Sequence, residues 1–100
     1  MSNKKIGELL RDLRESKGLL LREVASKMNM DQALLSKIER NERRPTKDQI
    51  PLFAEAFDVQ ANELMVAYLS DKVISELEND DLALDALKAA EQKIKSNKKK

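Results

Sequence analysis

Gln32, Ala33, Ser36 and Lys37 fall in the run DQALLSKIER, where helical spacing turns them outward, opposite Leu34, Leu35 and Ile38. Glutamine offers a donor and an acceptor side by side, serine a hydroxyl, and lysine a cationic donor. The four supply no nucleophile paired with a base. What they can do is hydrogen-bond to, or in the case of Ala33 touch, the edges of bases in a duplex major groove roughly 12 Å wide. The bland alternative for each is a solvated helix surface, so the neighbouring elements decide between the two.

The residue inventory narrows the chemistry further. The chain has no cysteine and no histidine, which removes zinc centres, thiol nucleophiles and histidine acid–base pairs. A glycine-rich phosphate loop is missing too, with Gly at only two positions. No enzyme activity, cofactor or metal is expected. Asn79-Asp80-Asp81 resembles a fragment of a calcium loop, but it lacks the glycine and the closing glutamate and reads better as a helix break. Hydrophobic residues at 41%, with two prolines, favour an all-α chain of one compact domain. No apolar run reaches membrane-span length, and MSNKKIGELL turns amphipathic too early for a secretory signal. A cytoplasmic location is the default expectation.

Formal charge is only +1, so a blanket polyanion binder is not indicated. Its distribution is uneven, however. Residues 71–91 carry two basic against seven acidic side chains, and five lysines follow between Lys93 and Lys100.

Apolar periodicity lays out the elements that must position the outward residues. Ile6, Leu9, Leu10 and Leu13 mark a first helix from about Asn3 to Lys17, stopped by Gly18. Leu21, Val24, Ala25 and Met28 mark a short second helix, and Asn29 then tolerates a left-handed turn. Asp31 has the chemistry of an N-cap for a third helix ending at Arg40. A second turn at Asn41 and Pro45 leads to Thr46, expected to cap a fourth helix whose stripe is Ile50, Phe53, Ala54 and Phe57. Pro51 sits early in that helix, where a missing N–H costs least. DVQANELMVAYL gives a fifth helix with Leu64 and Tyr68 inward.

Two short helices around a tight turn, with small Ala25 at their crossing, describe a helix-turn-helix. Ile6 to Met65 as a whole resembles the phage-repressor type of that domain, the Xre or Cro-repressor family. LREVASKMNMDQALLSKIERNERRP and LFAEAFDVQANEL carry the likeness most specifically. The resemblance implies a five-helix fold that binds duplex DNA in a sequence-specific way. It implies that Gln32 reads a base, with Ala33, Ser36 and Lys37 beside it, and that Arg40, Asn41, Arg43 and Arg44 run along the phosphate backbone. It also implies an ion pair between Arg14 and Glu39 that ties the first helix to the third. Leu20 departs from the pattern, standing where relatives place a capping Ser or Thr, and Leu21 stands where many place a phosphate-touching Gln.

Behind the five helices, one or two more are expected, broken near Asn79-Asp80. The chain divides on this reading into a DNA-binding domain at 1–69, a helical extension at 70–95 and a disordered basic tail at 96–100. One such domain reads only a few base pairs, so a homodimer on half-sites about 34 Å apart is expected. Met65, Val66, Leu69, Val73, Ile74 and Leu77 either pack back as extra core or face a second subunit, and they are the candidate dimer face. The functional expectation is a transcriptional regulator of the phage-repressor, restriction–modification controller or antitoxin kind. A protein-interaction module using the acidic rear helices is the competing reading.

Overall fold

A computed structural model describes residues 4–98. Six helices follow one another: α1 (Ile6–Ser16), α2 (Leu21–Lys27), α3 (Gln32–Glu39), α4 (Gln49–Phe57), α5 (Ala61–Leu77) and α6 (Ala83–Lys98). The described residues contain no strand, and the fold is all-α, as the composition and periodicity predict.

The first four helices end in the same way. At each terminus one residue adopts positive φ: Gly18 (68°), Asn29 (52°), Asn41 (61°) and Asp58 (55°). The amide after it then donates back five residues: Leu19 to Arg14, Met30 to Ala25, Glu42 to Lys37 and Val59 to Ala54. This Schellman closure satisfies carbonyls that a bare helix end would leave unpaired, and only Gly, Asn or Asp enters the left-handed region at low cost. Asn79 (64°) breaks the chain between α5 and α6 by the same conformational means.

Burial follows the predicted stripes. Ile6, Leu10, Val24, Ala25, Leu35, Ile38, Ile50, Phe53, Phe57, Leu64 and Tyr68 form one core shared by α1 to α5. Phe53 and Phe57 stack with ring centroids 6.1 Å apart, and each such side chain contributes about 1.5–3 kcal/mol through removal from water. Leu9, Leu13 and Leu34 lie at the margin of that core rather than inside it. Helix α6 has no buried residue.

Several boundaries depart from the sequence expectation. The first helix starts at Ile6, because Lys5 is already extended (φ −70°, ψ 160°); the predicted start at Asn3 lies outside the described residues. The fourth helix starts at Gln49, not directly after Thr46. Gln49 Oε1 accepts from the Thr46 amide at 2.9 Å, and short-range bonds from Gln49 and Ile50 to Thr46 and Lys47 tighten the entry turn. Pro51, which cannot donate, therefore interrupts no established ladder. Helix α5 runs unbroken through the expected boundary between residues 69 and 70. Helix α6 continues to Lys98, so Ser96, Asn97 and Lys98, expected in a disordered tail, are helical; the rest of that tail lies outside the described residues. Lysine is a good helix former, and positive charge in the last turn complements the helix dipole.

Candidate nucleic-acid interface

Helix α3 is held from below and capped from in front. Leu35 and Ile38 are buried against the core, and the Asp31 carboxylate accepts from the Ala33 amide at 2.9 Å, replacing one of the bonds that the first turn lacks. The tight turn ahead of it closes with Met30 N to Ala25 O at 2.9 Å, and buried Ala25 admits the close approach of α2 and α3.

On the outer side, Gln32, Ala33 and Lys37 are exposed and Ser36 is half-buried. Gln32 and Lys37 make no side-chain hydrogen bond or ion pair with the described residues, which leaves their full donor and acceptor capacity outward. Ser36 differs, for its hydroxyl accepts from Arg40 Nη1 at 2.5 Å. Arg40 in turn donates to Glu42 at 2.7 and 3.3 Å. Hydrogen bonding to Glu42 raises the Arg40 pKa, and the same bond lowers that of Glu42, so both stay ionised. A phosphate approaching Arg40 must compete with that carboxylate.

Asn41 has a structural task. Its Oδ1 accepts from the Gly7 amide at 3.1 Å, so that only its Nδ2 remains to meet an outside acceptor. Arg43 and Arg44 are exposed and take part in no ion pair among the described residues. With Lys5 and Asp71 they line a cleft of about 420 Å³ between this loop and α5.

Arg14 and Glu39 come together beneath the interface. Arg14 Nε and Nη2 donate to the two carboxylate oxygens of Glu39 at 2.8 and 3.1 Å, and Nη1 donates to the Leu19 carbonyl at 3.0 Å. Glu39 is 6% exposed, the one buried charged residue among those described. The fork geometry satisfies both of its oxygens, and hydrogen bonding to Glu39 raises the Arg14 pKa still further. The pair fastens the end of α3 to α1 and to the junction before α2.

That junction carries the unusual leucines. Leu20 is the residue preceding α2, and Glu23 Oε1 accepts from its amide at 2.8 Å. Only this half of a capping box exists, because the Leu20 side chain has no acceptor to return. Leu21 is half-buried and packs against the core.

Two contacts had no visible signal in the sequence. Asp71 Oδ2, on α5, accepts from the Ile6 amide at 2.7 Å. Together with Asn41 it caps α1 from distant parts of the chain, since Lys5 supplies no side-chain cap. Gly7 is the second: a Cβ there would collide with the Ile38 carbonyl and with Asn41.

Comparison with known proteins agrees with this architecture. A helix-turn-helix family model matches residues 10–64, more than half of the chain. Among solved structures, the restriction-modification controller protein C.AhdI from Aeromonas hydrophila is 32% identical, with a TM-score of 0.56 over 59% of this chain and 89% of that one. A tyrosine-to-phenylalanine mutant of the restriction-modification controller protein C.Esp1396I is 25% identical, with a TM-score of 0.53 over 75% of this chain and 90% of that one. The clp gene regulator ClgR from C. glutamicum is 23% identical, with a TM-score of 0.58 over 66% and 86%, and speaks for the fold alone. Comparison with curated proteins gives no match. With its turn at Asn29, its capped α3 and its matched core, the chain belongs to the helix-turn-helix family, in the Xre/Cro-type branch.

Proposed function

We propose that the protein is a sequence-specific, double-stranded DNA-binding regulator of transcription, of the repressor or controller type, acting as a dimer on a two-fold symmetric operator. The observation that carries this is the outer face of α3, where Gln32 and Lys37 are exposed and spend nothing on the fold. Gln32 pairs with adenine N6 and N7, Lys37 donates to guanine or phosphate, and Ala33 and Ser36 complete the reading surface. Arg43 and Arg44, with Arg40 and the Nδ2 of Asn41, follow the phosphates and set register. The two controller proteins at 32% and 25% identity favour the controller type over phage repressor or antitoxin.

The dimer face in this reading is the outer side of α5. Val66, Leu69, Val73 and Ile74 are exposed there, and Met65 and Leu77 are half-buried. No helix among the described residues is long and apolar enough to cross a membrane.

Selection of bound sequences from random duplex DNA at moderate salt tests the proposal. Recovery of a two-fold symmetric consensus is the expected result. Absence of any enrichment overturns it in favour of a module that binds protein partners.

A further inference from the structure

Of the ten large hydrophobic side chains left exposed among the described residues, eight lie from Val66 onward. Helix α6 contributes Leu84, Leu87 and Ile94, and buries none of them. A groove of about 360 Å³ runs between the end of α5 and α6, lined on its apolar side by Val73, Leu77, Ala86, Leu87 and Ala90. This segment lies beyond residues 10–64, which match the family model, so the family's shared core does not account for it.

The sequence of α6 specifies what would cover it. Ala83, Leu87, Ala90 and Ile94 recur at alternating intervals of four and three, the period of helices that pair side by side. Small and large residues alternate along this stripe, which allows close approach with interlocking. Charge is divided between the two ends. Asp80, Asp81 and Asp85 stand at the start with no basic residue among them, Asp80 also accepting from the Leu82 amide at 2.9 Å. Lys93, Lys95 and Lys98 stand at the end, where Lys95 lies 3.6 Å from Glu91 one turn back and Lys93 and Lys98 make no ion pair among the described residues. That division suits the dipole of a lone helix, but the dipole gives no reason for the apolar stripe.

Both features are met by a second copy of the same helix running the opposite way. Acidic starts then face basic ends at both sides of a two-fold axis, whereas a parallel pair sets like charge on like. We propose that the α6 helices of two copies pair antiparallel about an axis near Ala90, with Leu87 of each against Ile94 of the other. The α5 faces extend the same contact. The inference rests on the dimeric regulator proposed above, but its test uses no DNA, so that the two fail separately.

The test is sedimentation of the full chain, wild type and Ile94→Glu, with two single-cysteine variants on a chain that has no native cysteine. The wild type is expected to be a dimer. Ile94 is 57% exposed, so Ile94→Glu leaves the thermal melt of the monomer fold unchanged and weakens association by about tenfold or more. On oxidation, Ala90→Cys crosslinks through the axis. Ala83→Cys does not, because antiparallel pairing separates the two Ala83 positions by about 20 Å along the helix, against a limit of about 7 Å for a disulfide. A monomeric wild type overturns the proposal, and with it the dimer of the regulator reading but not its DNA-reading face on α3, which the selection experiment decides. Crosslinking of Ala83→Cys, which reports a parallel pair, overturns the α6 proposal alone. An Ile94→Glu dimer as tight as wild type also overturns it and leaves α5 alone as the dimer face; DNA selection then still decides the regulator reading.

Discussion

Asp71 caps a helix that begins 65 residues before it: its Oδ2 accepts from the Ile6 amide at 2.7 Å. The bond joins the outer half of α5 to the first turn of α1, and the neighbouring Gly7 amide is held by Asn41 from the turn after α3. One helix terminus thus ties together the turn that follows α3 and the helix that carries the proposed dimer face.

Asp71→Ala removes that acceptor and leaves the Ile6 amide unpaired. A loss of about 1 kcal/mol is expected in urea denaturation. Asp71→Asn retains an oxygen acceptor and should keep most of the stability. Equal losses in the two variants would mean that the contribution comes from charge and not from the hydrogen bond.

Arg14→Ala strands a carboxylate at Glu39, which is 6% exposed. Breaking a buried pair from one side costs about 3–5 kcal/mol, to be read as a fall in the denaturation midpoint. Arg14→Lys should recover only part, since an ammonium cannot reach both Glu39 oxygens and the Leu19 carbonyl at once. A loss below 1 kcal/mol for Arg14→Ala would show that water reaches Glu39 readily.

Gly7→Ala sets two effects against each other. Alanine gains up to about 1 kcal/mol in helix propensity, but the added Cβ meets the Ile38 carbonyl, which is backbone and has little room to move. Overpacking of about 1–3 kcal/mol or more should win. The net effect is a lower melting temperature, accompanied by weaker DNA binding because the end of α3 is displaced.

Leu20→Thr supplies the missing acceptor at the start of α2 and completes the box with Glu23. Stabilisation of about 0.5–2 kcal/mol is expected. The exposed position of Leu20 means little burial is given up, and a drop in melting temperature would refute the reading of residue 20 as an uncapped helix start.

Gln32→Ala and Arg43→Ala separate reading from positioning. The first should relax specificity at one position per half-site by about 1–3 kcal/mol. The second should weaken all sequences alike and flatten the dependence of affinity on salt. Identical behaviour of the two would remove the division between base readers and backbone contacts.

The legible parts of the molecule are those with local signatures. Stripes such as Ile50, Phe53, Ala54 and Phe57 announce their helix because side chains three and four apart share a face. Gly18, Asn29 and Asn41 announce the ends of α1, α2 and α3 because few residues accept the left-handed conformation. Arg14 and Glu39 were legible only through the family resemblance, since nothing local links two charges 25 residues apart. Asp71 looked like one member of an acidic segment, and its capping role depends on a contact that no local pattern encodes. The far end of α5 and the last turn of α6 are less legible for a related reason: these turns bury nothing within the single chain and rest on propensity and charge, which leave a fainter periodic trace than burial.

Gln32 and Lys37 bear no part of the weight of the fold, which falls on Leu35, Ile38, Asp31 and the Arg14–Glu39 clasp. On the proposed function, the address read by these two side chains can therefore be rewritten without disturbing the mount that presents it. Exchanging Gln32 and Lys37 for other polar side chains would then change what is bound and leave the melting temperature where it is.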